Sequence, residues 1–261
     1  MGLHSGARCS VVLERRPGPL LFQIAGHEAS LADLSVTRTD HGVTVRSRRG
    51  GGEIDLVEHL FAAFAGLSIR SGVTTTLSGP EVPLLDGGAA ELSRALLALG
   101  PPRQGPPLLV AERGSVEVDG ARYTFEPGPS VEVEVEVDFE RGGIGRQSAT
   151  FAGNATRFLD EIAPARTFGF AADADALRAR GRARFVDPHS VIVLDEEGRA
   201  LPPGRPPRPG ELARHKLLDL LGDLFAHGGP PRGRVHAVRP GHRATHRALA
   251  QALERGFLLR R

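Results

Sequence analysis

The sequence predicts an α+β fold made of two similar domains, each a sheet with a helix layer, packed helix layer to helix layer. Three observations carry this. The chain has 261 residues, 40% of them hydrophobic and 25% charged, which suits one large domain or two small ones. The Pro-rich segment 100–107 (Gly-Pro-Pro-Arg-Gln-Gly-Pro-Pro) can continue neither a helix nor a central strand. On each side of it the same order recurs: short strands, a helix, a strand, a helix. A first domain is expected at 1–102 and a second at 108–261, with an insert near 168–195.

In the first half, short apolar runs predict strands near 8–14, 20–24 and 42–47. The run 54–67 predicts a helix whose surface is filled by Phe61, Ala62, Ala63, Phe64 and Ala65. A strand at 72–77 and a helix at 88–98 complete the unit. The second half opens with strands near 108–117, 121–126, 130–138 and 145–151. Val131-Glu-Val-Glu-Val-Glu-Val137 is a period-two strand with one wet face, so its glutamates read as solvated. After a crossover region come a helix near 211–226, a strand at 233–238 and a helix at 243–256. The loop 196–210, with five prolines and three glycines, reads as a surface connection.

Bulk composition excludes several classes. Net charge is +2, from 33 basic and 31 acidic residues. No basic run is long enough for a polyanion-binding arm, so no nucleic-acid partner is expected. Cys9 is the only cysteine, which excludes an internal disulfide and fits a reducing compartment. No stretch approaches the apolar length of a transmembrane helix, and the first residues lack a basic-then-apolar signal segment. A cytoplasmic protein is expected.

The chemistry concentrates in His215-Lys-Leu-Leu-Asp219-Leu-Leu-Gly-Asp223. This helix is apolar nearly all round, yet His215, Asp219 and Asp223 recur every four residues and share one stripe. Buried imidazole and carboxylates need partners, and a metal ion or a catalytic cleft supplies them. His and Asp at i, i+4 can ligate one ion from one face, although many such pairs are only surface contacts. Lys216 is the only lysine in the chain.

Two further candidates lie elsewhere. Glu58 and His59 adjoin each other in an otherwise apolar helix, where the blander reading is a wet edge. His242 follows Arg239-Pro-Gly at a strand-to-helix turn, a place where chemistry tends to sit; the blander reading is a plain helix-start histidine. His246 lies one turn later. His27, His41, His227 and His236 have no partner in sequence and receive no role. A site built from His59, His215 and Asp219 has three protein ligands and an open position, the catalytic zinc arrangement. Glu58 beside it is placed to take a proton from water. Asp223 is placed to orient or charge His242, which would then stabilise an oxyanion or protonate a leaving amine. Together these residues describe metal-assisted hydrolysis of an amide.

Several stretches carry a family resemblance: Gly2-Leu-His-Ser-Gly6, Val57-Glu-His-Leu60 with Ala65-Gly-Leu67, and Gly79-Pro-Glu-Val-Pro-Leu-Leu-Asp-Gly87. Ala165-Arg-Thr-Phe-Gly-Phe170, the 215–223 stretch and Gly241-His242 complete the set. In this order they resemble the UDP-3-O-acyl-N-acetylglucosamine deacetylase family, the zinc amidases of lipid A synthesis. The resemblance implies a two-domain α+β fold with zinc at the domain junction. It implies His59, His215 and Asp219 as zinc ligands, Glu58 as general base, and His242 as general acid or oxyanion partner with Asp223 beside it. It further implies Thr167 as hydrogen-bond donor to the reacting carbonyl and Phe168 and Lys216 as substrate contacts. Arg239 would lie near the nucleotide phosphates, and His4 near the active site. The implied substrate is an acylated UDP-amino sugar; a transient contact with the inner-membrane surface stays open.

The match departs in places. The chain starts within the first motif, where the family normally has a preceding strand, so either that strand is missing or Met1 is a wrongly assigned start. Ile69-Arg70-Ser71 stands where the family usually has an acid and an amide. Arg184-Phe-Val-Asp-Pro-His-Ser190 replaces a Gly-Gly-Ser stretch in the insert that lines the acyl-chain passage. Two alternatives therefore stand beside the deacetylase: a paralogous zinc amidase acting on another acylated sugar, and a non-catalytic nucleotide-sugar or RNA-binding protein on the same scaffold.

Overall fold

The computed structural model describes residues 1–105, 107–139 and 143–260. Pro106 of the expected linker and Arg261 lie outside them. The first half runs β1 (Ser10–Pro19), β2 (Leu21–Ile24), β3 (His27–Ser30), β4 (Leu34–Arg38), β5 (Thr44–Ser47), β6 (Glu53–Ile54), α1 (Glu58–Gly66), β7 (Ser71–Ser78) and α2 (Ala90–Leu99). The second runs β8 (Leu108–Val110), β9 (Gly114–Val118), β10 (Ala121–Glu126), β11 (Val131–Phe139), β12 (Gly145–Phe151), α3 (Ala155–Arg157), β13 (Thr167–Phe170), α4 (Ala174–Ala179), β14 (Val191–Leu194), α5 (Glu211–Ala226), β15 (Gly233–Val238), α6 (His242–Glu254) and β16 (Leu258–Arg260).

The expected repeat is visible in the strand pairing. In the first half the order is β1-β7-β2-β3, with β1–β7 antiparallel, β7–β2 parallel and β2–β3 antiparallel. In the second, β10–β15 is antiparallel, β15–β11 parallel and β11–β12 antiparallel, with β9 added outside β10. Each central strand (β7, β15) is flanked in sequence by two helices, so α1 corresponds to α5 and α2 to α6. The sheet faces explain the patterning. The valines 133, 135 and 137 of β11 are buried, while Glu134 on the other face pairs with Arg234 at 2.8 Å.

The two helix layers meet through α1 and α5. Every residue of α1 is buried, because one side faces the β1-β7-β2-β3 sheet and the other faces α5. Phe22 of β2 meets the Phe61 ring at 5.6 Å, and Phe64 stacks on Phe225 of α5 at 5.7 Å. The helices approach closely at Gly222, where an added Cβ would fall 2.2 Å from the backbone oxygen of Glu58. Only glycine lets these backbones touch.

Several boundaries differ from the sequence reading. The predicted helix 54–67 begins at Glu58. Ile54 belongs to β6, and Leu56 takes a left-handed turn (φ 59°) that a leucine does not signal. The strand expected at 108–117 is two strands that join different sheets. Strands β3, β4, β6 and β16 are too short, or too polar, to show a period. The insert is a parallel pair, β13 with β14, and α4. The Pro-rich 196–210 loop is tied down: Arg166 donates to the carbonyls of Arg205 and Pro206 and pairs with the buried Glu211 at 2.9 Å. Among the described residues no helix is long and apolar enough to cross a membrane.

Candidate active site and metal centre

Glu58 and His59 open α1, and both are buried. His215 and Asp219 lie one turn apart on the face of α5 that meets α1. The ligand atoms of His59, His215 and Asp219 all lie within 4.8 Å of one another. Both imidazoles are held in the tautomer a metal needs. His59 Nδ1 donates to the Gly88 carbonyl at 2.9 Å and His215 Nδ1 to the Ala165 carbonyl at 3.0 Å. A carbonyl only accepts, so each Nδ1 carries the proton and each Nε2 keeps its lone pair. The turn that brings Gly88 here needs glycine at 87, where φ is 85° and a Cβ would overlap the Ser190 carbonyl.

Electrostatics complete the donor set. Burial pushes His215 down to about 4, which keeps it neutral at pH 7. Burial opposes ionisation of Asp219, but the Lys216 ammonium at 2.9 Å and the neighbouring imidazoles outweigh it and hold the carboxyl well below its usual range. Two imidazoles and one carboxylate, buried, converging and lining the cavity, fit a borderline divalent cation.

Around this cluster stand the other predicted residues. Glu58 accepts from the Val43 N–H at 2.9 Å, and its second oxygen lies 4.0 Å from His242 Nε2. Burial raises its pKa, while His242 and His59 pull the other way. His242 opens α6 and donates from Nδ1 to both oxygens of Asp223, at 2.9 and 3.0 Å. Burial disfavours its cation, but the Asp223 carboxylate prevails and lifts it to about 10. Asp223 itself falls to about 2, burial being outweighed by His242 and His246. Thr167 and Phe168 lie on β13. The Phe168 ring meets His215 edge-on at 6.0 Å, with the Lys216 Nζ 5.4 Å from its centroid. His4 donates from Nε2 to the His41 carbonyl at 2.9 Å and accepts from the Ala183 N–H at 3.3 Å.

All the residues singled out from sequence except Asp223 line one cavity of about 610 Å³. Asp223 sits behind its rim, against His242. The cavity also takes in residues that sequence reasoning left without a role. His41, on a left-handed turn, is one. Asp119, which pairs with Arg243 and Arg247, is another. Leu177, Val186, Val191 and Val193 also line the cavity as an apolar arm; they lie in the 168–195 insert that the resemblance places along an acyl-chain passage. His41 and Asp119 had no sequence signal beyond turn chemistry.

Fold and site together define a hydrolytic enzyme of the metal-dependent kind: a buried His-His-Asp donor set, a carboxyl group within reach, and an imidazole charged by its own carboxylate. Comparison with known proteins makes this particular. The family described as UDP-3-O-acyl N-acetylglycosamine deacetylase matches residues 1–255, and the chain belongs to that family. Similar curated proteins bear the name UDP-3-O-acyl-N-acetylglucosamine deacetylase. The one from Myxococcus xanthus is 34% identical over 262 residues, covering 97% of this chain and 82% of the relative. Those from Phenylobacterium zucineum and Thermosynechococcus vestitus are each 36% identical, over 97% of this chain and 88% and 89% of their own lengths.

Proposed function

We propose that this protein hydrolyses the N-acetyl group of UDP-3-O-(3-hydroxyacyl)-N-acetylglucosamine, giving the free amine and acetate, as a step of lipid A biosynthesis. The observation that carries the reading is the convergence of His59, His215 and Asp219, from corresponding helices of the two halves, beside Glu58 and His242 on one cavity. The resident metal is zinc, held by those three side chains. When bound there, zinc supplies Lewis acidity toward the amide carbonyl and toward water. The site lies where the domain 1–102, which brings Glu58 and His59, faces the domain 108–261, which brings the rest.

Glu58 takes a proton from the attacking water as its oxygen bonds to the acetyl carbon. Burial raises the carboxyl's affinity for that proton, which suits a base that must also give the proton back. His242, charged by Asp223, faces the oxygen on which negative charge develops. Thr167 adds a hydrogen bond to the same oxygen. The C–N bond then breaks, and the amine takes its proton from Glu58 or His242. Lys216 and Phe168 contact the sugar, Arg239 the diphosphate, and His4 braces the cavity wall. The protein works in the cytoplasm. Phe185, Val186 and Leu201 are exposed around the insert, which supports a brief contact with the inner-membrane surface.

One observation favours a second reading, an amidase acting on another acylated sugar. Val186, from the divergent 184–190 segment, lines the apolar arm of the cavity. Mass spectrometry of products from acylated and unacylated UDP-sugars, across acyl lengths, decides between them. The proposed function fails if no acetate appears from the 3-O-acylated UDP-sugar, or if a chelator leaves its release unchanged.

A further inference from the structure

Asp223 faces two imidazoles. One is His242. The other is His246, one turn further along α6, whose side chain is 10% exposed. His246 Nε2 is buried without a hydrogen-bond partner among the described residues, and it lies 3.5 Å from Asp223 Oδ1. Its other ring nitrogen, Nδ1, lies 2.8 Å from Nε2 of His227, the residue that ends α5. His227 in turn borders a separate groove with Arg48 and Arg260 on its wall.

Counting protons restricts what this chain of rings can do. Two imidazole nitrogens 2.8 Å apart need one proton between them. If His246 Nδ1 held it, a neutral His246 would turn the bare lone pair of Nε2 toward a buried carboxylate, which is repulsive. A doubly protonated His246 would set a second buried cation beside His242 with one carboxylate to share. The remaining arrangement has no such conflict. His227 Nε2–H donates to His246 Nδ1, and His246 Nε2–H is directed at Asp223.

We propose that His227 and His246 are positioning residues for the deacetylation: His227 fixes the His246 tautomer, and the His246 N–H anchors the Asp223 carboxylate in the rotamer it presents to His242. The inference rests on the role given to His242 above. Among the described residues these two imidazoles are the only basic side chains with a nitrogen within 4.0 Å of the Asp223 carboxylate, His242 by hydrogen bonds and His246 at 3.5 Å. Without His246 the carboxylate has a single partner and can rotate away. A hydrogen bond to a charged group is strong enough for its loss to change a rate about tenfold.

Histidine nitrogen NMR on the metal-free wild type tests the contact without any turnover. The expected result at neutral pH is a neutral His246 carrying its proton on Nε2. Kinetics then test the role. His246→Phe is expected to lower kcat about tenfold with KM within a factor of about two. His246→Gln, which restores a donor, recovers most of that loss. His227→Phe costs less, because Asp223 alone still favours the same tautomer. A proton on Nδ1, a charged His246, a His246→Phe enzyme with wild-type kcat, or a Gln variant no better than Phe overturns the proposal. If the wild type itself releases no acetate, the deacetylase reading falls, while the NMR result still decides whether His246 donates to Asp223.

Discussion

Replacing Gly222 with alanine tests whether the approach of α1 to α5 sets the site. The added Cβ would meet the Glu58 oxygen at 2.2 Å, its carbonyl carbon at 2.8 Å and its Cα at 2.9 Å. All three are backbone atoms and cannot swing aside. Ordinary contact needs roughly 3.4 Å, so the helices must part by about 1 Å where Glu58 and His59 face Asp219. Alanine gains about 1 kcal/mol of helix propensity over glycine, while overpacking a filled core costs about 3 kcal/mol or more. The net loss of about 2 kcal/mol corresponds to a melting temperature lowered by about 4–8 °C. Because a 1 Å misplacement of reacting groups can cost about a hundredfold, kcat is expected to fall by about that factor. Calorimetry and acetate release measure both, with Gly105→Ala as control, since its methyl meets nothing within 4 Å. A Gly222→Ala enzyme that melts no lower and turns over as the wild type would refute the idea that this contact positions the chemistry.

Other consequences follow from the same geometry. Asp223→Asn removes the charge that lifts His242 to about 10; the His242 cation is then lost at lower pH, so the alkaline limb of the kcat profile should move down and kcat should drop. Glu211 is held at about 2, against an ordinary 4.5: burial opposes this, but the Arg166 side chain outweighs it. A depressed carboxyl contributes stability above its unfolded pKa and loses it as pH falls toward 2. Chemical denaturation should therefore show about 3 kcal/mol lost between pH 5 and 2, and a Glu211→Gln variant should lack that component. Asp219→Ala should abolish zinc binding by calorimetry, whereas Glu58→Ala should keep the metal and lose most turnover; a fully active Glu58→Ala enzyme rules out its role as base.

The parts of the site that sit on helical periods were legible in the sequence. His215, Asp219 and Asp223 form a stripe on an apolar helix, and no packed core needs such a stripe unless something pairs with it. Glu58 and His59 were readable only as an oddity, because the helix that faces them lies far along the chain. The His227–His246 pair was not legible. Its members lie in a loop and a helix whose proximity depends on how α5 and α6 pack. The apolar arm of the cavity was legible only as an insert near 168–195; its individual residues, Leu177, Val186, Val191 and Val193, come from separate short elements with no common period. Leu56 marks the general difficulty. A left-handed leucine between Asp55 and Val57 separates a strand from a helix without the glycine, proline or asparagine that usually marks such a turn.

The repeat also explains why the site is asymmetric. Since α1 corresponds to α5, the proposed metal cluster draws on equivalent helices that face each other. The following helices have diverged. The turn before α2 is capped by Asp86, whose carboxylate accepts from the Ala90 N–H at 3.2 Å, and it lends the Gly88 carbonyl to orient His59. The start of α6 instead carries His242, and the neighbouring stripe on α5 extends one turn further to supply Asp223. One helix start therefore orients His59, a proposed ligand, and the other delivers His242. A symmetric pair would give either two orienting carbonyls with no acid, or two cations crowding one metal. Hydrolysis of an amide needs a base on one side of the carbonyl and a proton donor on the other; in the proposed mechanism Glu58 at the start of α1 and His242 at the start of α6 divide these roles between the two halves.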